Sequence, residues 1–322
     1  MIGKVPPNLL ESIVLSRTGA SDERVLQGPA YGEDTAAIQL EDGILVVNTD
    51  PISLAVGRIG TLGVNVACND VAASGAVPEW LTCVVFLPAG NDSTLDEITR
   101  QLDEEARRLG VAIVGGHSEY APALSDPLLV LTCFGLTNRY VPTAGAQPGD
   151  RILVTKSAGI EGTAVLATDF ADVVDGEVSR SVIERGATFY DDVSVVEDAA
   201  VVGEYANAMH DPTEGGLVDG LFEMAVASGV RLDVDPDAIP VRDETRALCR
   251  AAGVDPLRIF GSGALLAAIP AASIEAVSDA LDDREIGHAT IGTVRASADP
   301  ELRLGERSYT EPVRDDMYGL WE

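Results

Sequence analysis

The pattern of hydrophobic and polar positions predicts a chain that mixes strands and helices. Apolar positions alternate with polar ones over short stretches, as in half-buried strands, or recur every three to four residues, as in helices. The predicted strands in the first part of the chain are 35–40, 44–47, 80–87, 111–114 and 128–134. The predicted helices there are 58–74 and 93–109, and the first two strands form a hairpin around a turn at 41–43.

A segment rich in Pro, Gly and Ala at 140–150 divides this pattern in two. The second part predicts strands at 151–155, 230–234, 263–269 and 287–294, and helices from 159 onward and at 179–187, 192–208, 212–228 and 271–281. A chain of 322 residues is long for one core and comfortable for two. We therefore predict two domains, residues 1–145 and 146–322.

The composition adds an extreme charge. There are 52 acidic and 22 basic residues, a net charge of −30, and the basic set contains only two lysines. The acidic residues are dispersed through helices and loops, which predicts a protein adapted to high salt, where screening weakens self-repulsion. The alternative is an acidic surface that attracts a cationic partner.

Charge and hydropathy also bear on partners and location. Binding to nucleic acid is disfavoured, because phosphate contacts need a basic surface. No apolar stretch reaches the roughly 18 residues of a membrane span, and no signal-peptide core is visible in residues 1–10, so we expect a cytoplasmic protein. The four cysteines are far apart in apolar stretches, which favours packing as small hydrophobic side chains over zinc or disulfide bonding.

Candidate chemistry lies in polar clusters beside apolar runs of the first 120 residues. The clusters are Gly32-Glu33-Asp34, Asn48-Thr49-Asp50, the group Asn65, Asn69 and Asp70, and residues 115–119. Carboxylate and amide oxygens are suited to Mg²⁺ and to the phosphates that it carries. No GxxxxGK[ST] motif occurs, so the sequence indicates a nucleotide site on a less common scaffold. Asp34 by itself could belong to an ordinary acidic turn, whereas Asp50 follows a buried run and is better placed to hold a metal.

The helix at 58–74 is unusual because it is apolar nearly all round. Asn65 and Asn69 lie four residues apart on one face, and Asp70 is adjacent. A buried amide without a partner is costly. The two amides therefore need a ligand or a structural network to a neighbouring loop, and we favour the ligand.

Two glycine-containing segments complete the candidate site. After the strand 111–114, Gly115 and Gly116 allow the backbone to approach a ligand, while His117 and Glu119 project to one side. In residues 210–216, Asp211 suits the N-cap of a helix, with proline at N1 and glutamate at N3. Two glycines in the first turn weaken a helix, so we expect close approach of a phosphate or of another backbone there.

Taken together, these segments resemble the superfamily of AIR synthase (PurM), thiamine-monophosphate kinase, selenophosphate synthetase and the hydrogenase-maturation factor HypE. The matching segments are 32–37, 49–50, 64–76, 115–119, 211–217 and 261–263, and they keep the family order across nearly the whole chain. The segment 211–217 is most similar to HypE-like proteins.

The resemblance implies a PurM-like fold of two α+β domains, in which the N-terminal sheets of two subunits join into a barrel and an α/β domain follows. It also implies a homodimer that holds Mg-ATP near its interface and acts on a small-molecule or protein substrate. The implied metal ligands are Asp34, Asp50 and Asp70. The implied nucleotide contacts are Asn65, Asn69, Gly115, Gly116, Asp211, Thr213, Gly215 and Gly216, and the candidate catalytic residues are His117 and Glu119.

Two departures from the family pattern matter. His117 stands where the kinase and HypE carry aspartate and AIR synthase carries glutamate, so either a metal ligand is lost or Glu119 substitutes for it. HypE carries its substrate group on a C-terminal cysteine, whereas the last cysteine here is Cys249. We expect that HypE's reaction on its own terminus does not occur in this chain.

The leading hypothesis is a Mg-ATP-dependent enzyme that phosphorylates or activates an oxygen of an unidentified substrate. One alternative is a phosphotransferase like thiamine-monophosphate kinase, against which the 211–216 segment and His117 argue. Another is an ATP-binding maturation partner without catalytic activity.

Overall fold

The computed structural model describes residues 3–88 and 92–322, and its strands form two sheets. The strands of the first sheet are β1 (Val25–Gln27), β2 (Ala36–Leu40), β3 (Gly43–Ile52), β4 (Val77–Leu87), β5 (Ala112–Tyr120) and β6 (Leu128–Thr137). Their spatial order is β1-β2-β3-β6-β4-β5. All neighbours are antiparallel except β4 and β5, which are parallel.

The first half also contains three α-helices among the described residues. They are α1 (Pro7–Leu9), α2 (Ile59–Ala73) and α3 (Asp92–Leu109); a π-helical turn, Leu10–Leu15, follows α1, and a 3-10 turn, Val56–Arg58, precedes α2. The predicted amphipathic pattern of α3 is confirmed, since Ile98, Leu102 and Ala106 are buried against the sheet.

The second sheet has seven strands in the order β13-β12-β9-β11-β7-β10-β8. They are β7 (Arg151–Thr155), β8 (Ala208–His210), β9 (Arg231–Val234), β10 (Leu266–Ile269), β11 (His288–Arg295), β12 (Glu301–Leu304) and β13 (Arg307–Tyr309). The helices of this half are α4 (Ile160–Thr168), α5 (Ala171–Val174), α6 (Arg180–Ala187), α7 (Val196–Val202), α8 (Gly216–Ser228), α9 (Asp243–Ala252), α10 (Ile274–Asp282) and α11 (Tyr318–Trp321). Short 3-10 turns lie at Thr143–Gly145, Thr188–Asp192, Pro236–Ala238 and Ala271–Ser273.

Helix α2 lies between the two halves of the molecule, and all 15 of its residues are buried. Val64, Cys68 and Val71 belong to the core of the first sheet. Leu62 packs in a cluster with α4 and α9, and Ala72 packs in a cluster with α7 and α10. The apolar pattern all round the helix is therefore explained, because α2 has no face toward water.

Four predicted elements differ from the structure by more than about three residues at one end. Strand β3 continues to Ile52, so Asn48 and Asp50 lie within it, and β5 continues to Tyr120 through the segment that was expected to follow a short strand. Only Val196–Val202 of the predicted helix 192–208 is an α-helix, and β8 occupies its end. The helix predicted at 212–228 begins at Gly216.

The first sheet is open in the described single chain, with β1 and β5 at its edges. Every residue of β5 is exposed, including Ile113 (44%), Val114 (59%) and Tyr120 (45%). A closed barrel is therefore not present in one chain, and the barrel shared with a partner subunit stays a prediction.

Two further predictions concern the cysteines and the membrane. All four cysteines are free and buried, as expected for small hydrophobic side chains. Within residues 3–88 and 92–322, no helix combines the length and the hydropathy needed to span a bilayer.

Candidate functional site

A cleft of about 130 Å³ opens between the two halves of the molecule. Strand β3 contributes Asp50, helix α2 contributes Asp70, and the turn before β2 contributes Asp34. The second half faces them with the loop that precedes α8, through Thr213 and Glu214. The three predicted metal ligands thus line one cleft, although they come from three separate elements.

A compact group of carboxylates forms the candidate metal centre. One oxygen each from Asp34, Asp70 and Asp211 lies within 4.8 Å of the other two. Asp34 is partly exposed, whereas Asp70 and Asp211 are buried. Asp211 follows β8 directly, so the second sheet places it against two aspartates of the first half.

Asn48 joins these carboxylates to Asp50. Its Nδ2 donates to Asp70 Oδ2 at 2.5 Å and lies 3.3 Å from Asp50 Oδ2. Its Oδ1 accepts from the backbone N–H of Cys133 at 3.2 Å, which fixes the amide on the sheet. Asn48 and Asp50 are two residues apart in β3, so their side chains point to the same face of the sheet. That spacing is the sequence signal by which Asn48 could have been found.

The mutual repulsion and burial of the aspartates shift their proton affinity. Loss of water contact raises the pKa of Asp34 to about 6, although His210 opposes the rise. Burial, followed by the charge of Asp34, raises the pKa of Asp211 to about 8. Burial and the other carboxylates raise the pKa of Asp70 well above its ordinary value. These shifts favour a bound proton or a bound cation at the buried members of the cluster, Asp70 and Asp211.

A buried histidine connects the cluster to a second acidic group. His210 Nε2 lies 3.0 Å from Glu223 Oε2, and Nδ1 lies 3.4 Å from Asp34 Oδ2. Burial lowers the pKa of His210, but the bond to Glu223 and the charge of Asp34 outweigh it and raise that pKa to about 9. Burial raises the pKa of Glu223, and the stronger effects of Lys4 and His210 lower it to about 2. His210 Nδ1 is buried without a hydrogen-bond partner, so His210 acts on Asp34 through its charge and not through a hydrogen bond.

The sequence interpretation gave no role to His210 or Glu223. The available signals were the position of His210 directly before Asp211 and the presence of an acidic residue in the apolar stretch of α8.

The donor set fits a hard divalent cation. Carboxylate oxygens are the ligands that Mg²⁺ and Ca²⁺ prefer, and here they converge from three directions. Asp211 Oδ2 is buried without a hydrogen-bond partner. An unpaired buried oxygen is costly, and coordination of a cation would satisfy it.

The two asparagines of α2 do not join the carboxylates. Asn65 Nδ2 donates to Glu105 Oε1 at 2.7 Å and to the carbonyl of Thr61 at 2.9 Å. Asn69 Nδ2 donates to the carbonyl of Val193 at 3.0 Å, and its Oδ1 accepts from the N–H of Val195 at 2.8 Å. Both amides therefore have hydrogen-bond partners within the protein. This favours the structural network over the ligand as the explanation for the two asparagines.

The segment 115–119 lies away from the cleft, on the edge strand β5. His117 and Glu119 are about 60% exposed and lie 3.2 Å apart, Nε2 to Oε2. A Cβ at Gly116 would collide with the carbonyl oxygen of Cys83 on β4, whereas one at Gly115 would meet ordinary contacts. Gly116 therefore serves the pairing of two strands, and neither glycine is among the described residues that line the cleft.

The glycines before α8 allow close contact between backbones. Gly215 has φ of +81° and forms the N-cap, and Gly216 has φ of +65°. A Cβ at Gly216 would lie 2.5 Å from the carbonyl oxygen of Ile259. The predicted capping box with Asp211 at the N-cap is wrong, because the N-cap is Gly215, four positions after Asp211. We expected the glycines to admit either a phosphate or another backbone, and the structure shows another backbone.

The polar groups of this loop are already engaged. The N–H of Gly215 donates to Asp315 Oδ2 at 2.8 Å, and the N–H of Gly216 donates to the carbonyl of Thr213 at 3.1 Å. Of the predicted nucleotide contacts in this loop, Thr213 is the one that lines the cleft.

Comparison with known proteins identifies matches over both halves of the chain. Residues 32–137 match the family model for the N-terminal domain of AIR synthase related protein, and residues 147–305 match the model for its C-terminal domain. A putative hydrogenase expression/formation protein of Methanocaldococcus jannaschii is 29% identical over 299 residues, which cover 88% of this chain and 85% of that protein.

Two HypE proteins are also similar. The carbamoyl dehydratase HypE of Cupriavidus necator is 31% identical over 267 residues, 80% of this chain and 74% of that protein. A solved structure of the hydrogenase maturation protein HypE in complex with ATP aligns with a TM-score of 0.73 and 25% identity, over 96% of this chain and 95% of that chain.

Proposed function

The chain belongs to the AIR synthase related family, and we propose that it is a Mg²⁺- and ATP-dependent enzyme of the HypE-like branch. Its reaction is the phosphorylation or activation of an oxygen atom of a small-molecule or protein substrate. The observation that carries this proposal is the convergence of Asp34, Asp70 and Asp211 within 4.8 Å at a cleft. The similarity to a HypE that binds ATP supports the choice of nucleotide.

Each residue of the centre has a distinct part in this proposal. Asp34, Asp70 and Asp211 would hold Mg²⁺, and Asp50, which shares Asn48 with Asp70, is the fourth carboxylate at the site. Bound Mg²⁺ would neutralise the phosphate oxygens and orient them for transfer. His210 places a positive charge beside Asp34, and Thr213 lies on the opposite wall of the cleft as a nucleotide contact.

We also propose that the protein is a homodimer whose N-terminal sheets join along β5. The exposed apolar side chains of Ile113, Val114 and Tyr120 on this edge support a partner contact. His117 and Glu119 lie on the same strand, so the join would bring them to the interface near which the family resemblance puts the nucleotide.

We assign the halves to domains 1–145 and 146–322, and we infer adaptation to high salt from the net charge of −30.

Binding of Mg-ATP to the purified chain in molar KCl tests the proposal. Isothermal titration calorimetry should detect ATP binding that requires Mg²⁺, and Asp70→Asn should weaken it at least about tenfold, because a buried metal ligand loses its charge. Asp103→Asn, on the exposed face of α3, is the matched control and should bind as the wild type does. Absence of Mg-ATP binding in the wild type would refute the proposal.

The class of reaction needs a second measurement. ATP turnover in the presence of carbamoylated cysteine peptides would favour the HypE-like reaction, and phosphoryl transfer to thiamine monophosphate would favour the kinase alternative. Tight ATP binding without turnover on either substrate would favour a maturation partner without catalytic activity.

A further inference from the structure

We propose that Lys4 binds the terminal phosphate of the nucleotide and that residues 3–18, the N-terminal strap, carry it into the cleft. The inference rests on the proposed function, since it assumes a Mg-nucleotide in this cleft. It adds a binding residue in a segment outside the two regions matched by the family models, which begin at residue 32.

Lys4 stands at the wall of the cleft. Its Nζ lies 3.1 Å from Glu223 Oε1 and 3.7 Å from Glu214 Oε2, and 42% of its side chain remains exposed. Among the described residues that line the cleft, Lys4 is the one with a cationic side chain, whereas five others carry carboxylates. The ammonium group therefore has access both to the cleft and to water.

Charge balance gives this position its importance. A nucleotide brings several negative charges into a cleft that already contains Asp34, Asp50 and Asp70. Mg²⁺ offsets part of this charge, and the terminal phosphate oxygens need a further cation. Lys4 can supply this positive charge if its ammonium group leaves Glu214, which is the longer and more exposed of its two ion pairs.

The choice of lysine at this position is informative in a chain that uses arginine almost everywhere else. Twenty arginines accompany only two lysines, Lys4 and Lys156. Lys156 is mostly buried, and its Nζ bonds to the carbonyl oxygen of Asp192 at 3.1 Å and lies 3.3 Å from Asp198 Oδ2. A compact ammonium on a flexible stem can change partners, which suits a contact made only when nucleotide is bound.

The strap is weakly attached to the rest of the molecule. Helix α1 and the π-helical turn after it contain no buried residues. Gly3 rests on the ring of Tyr318, so closely that a Cβ at this position would lie 2.8 Å from its Cε2. A segment with few buried contacts opens locally at a low cost in free energy. A contact between Lys4 and a ligand can therefore determine whether the strap stays packed against the cleft.

Nucleotide affinities of Lys4 variants test the inference. We expect Lys4→Met to weaken Mg-ATP binding by about tenfold to hundredfold and Mg-ADP binding much less, because the lost contact is to the terminal phosphate. Lys4→Arg should retain most of the preference for ATP. Arg17→Met removes the same charge from the same strap outside the cleft and should change neither affinity.

Limited proteolysis gives a readout that is independent of turnover. Glu11 lies exposed on the strap, and Mg-ATP should slow cleavage there by a glutamate-specific protease in the wild type and in Lys4→Arg, but not in Lys4→Met. If Lys4→Met does not fold, Lys4→Gln replaces it.

Equal loss of ATP and ADP affinity in Lys4→Met, or no loss, would overturn the inference while leaving the proposed function intact. Failure of the wild type to bind any Mg-nucleotide would overturn both.

Discussion

At the scale of single residues, the cleft concentrates negative charge that the surrounding side chains only partly compensate. Asp34, Asp70 and Asp211 share a space of less than 5 Å, and the cations nearest to them are His210 and Lys4. In water such carboxylates would ionise freely, but burial makes each further negative charge expensive. A proton or a metal ion can remove this cost, and the two compete for the same oxygens.

This competition predicts a Mg²⁺ effect on stability that grows with pH. The pKa values of Asp34, about 6, and Asp211, about 8, are raised above those of the unfolded chain, so the metal-free native state binds more protons than the unfolded state. Their contribution to stability is complete below about pH 4 and is lost as the pH rises through 6 and 8. Bound Mg²⁺ should restore it, by about 2.7 kcal/mol at a concentration of about 100 times Kd.

Thermal unfolding between pH 6 and about 8.5, with and without Mg²⁺ at constant KCl, measures this effect. Asp211→Asn removes one charge without changing shape, and it should flatten the pH dependence and abolish most of the Mg²⁺ response. An equal Mg²⁺-induced shift of Tm at both ends of the pH range would contradict the prediction.

The ion pair of His210 and Glu223 predicts a strong non-additive effect on stability. His210→Gln leaves the buried carboxylate of Glu223 with Lys4 alone, and breaking a buried pair costs about 3–5 kcal/mol. The double variant His210→Gln with Glu223→Gln removes both charges and should recover much of that loss. Urea unfolding in KCl gives the free energies; a double variant as unstable as the sum of the single ones would disprove the coupling.

At the scale of elements, α2 connects the candidate site to the joint between the two halves. Asp70 faces the carboxylate cluster, and the adjacent Asn69 bonds to the backbone of Val193 and Val195. Neighbouring residues of a helix point in directions about 100° apart. Asp70 can therefore face the carboxylate cluster while Asn69, in the same turn, contacts the second half. The position of the metal ligand is thereby tied to the packing of the second half.

The two asparagines of α2 predict different consequences. Asn69→Ala leaves a buried N–H and a buried carbonyl without partners, and each costs about 1–3 kcal/mol of unfolding free energy. Asn65→Ala, the matched variant one turn earlier, loses bonds to partly exposed Glu105 and Arg108 and should cost less. We expect the Mg-ATP affinity of Asn65→Ala, measured by calorimetry, to stay within about threefold of the wild type. A tenfold loss would instead support the sequence-based prediction that Asn65 contacts the nucleotide.

Sequence patterns predicted most elements and several residues that line the cleft, but not the partners of individual side chains. The apolar pattern predicts α2, and Asp34, Asp50 and Asp70, predicted as metal ligands, line one cleft. The role of Asn69 depends on Val193 and Val195, which are more than 120 residues away and leave no local signal. The local pattern predicts Asp211 as a helix cap and the family resemblance implies a nucleotide contact, because neither signal shows that β8 places this carboxylate beside Asp34 and Asp70.

At the scale of the whole molecule, the net charge of −30 leads us to expect that salt affects the stability of the fold. Surface carboxylates repel one another over about 10 Å at 0.1 M salt and over only about 3 Å at 1 M. Several exposed pairs, such as Arg100 with Glu97 and Glu104, offset a small part of this repulsion. The remaining charge favours the unfolded chain when salt is low.

The charge predicts that stability increases with salt. Tm should rise by roughly 10 °C or more between about 0.1 M and 2 M KCl, as screening removes repulsion that several kcal/mol of other interactions must otherwise offset. A non-ionic osmolyte at matched osmolality should produce a smaller rise, which separates screening from preferential exclusion. A flat salt dependence would favour the alternative, an acidic surface for a cationic partner.

The complete burial of α2 has a consequence for how such a chain can be divided. The helix belongs to the first half by sequence, yet Leu62, Ala72 and Ala73 complete clusters of the second half. If the gene were split near codon 145, the first fragment would expose the apolar residues of α2 to water. The second fragment would lack the α2 side chains that complete its apolar clusters. Neither fragment should be soluble alone, whereas co-expression should allow them to reassemble. Each half therefore needs the other to bury its apolar surface.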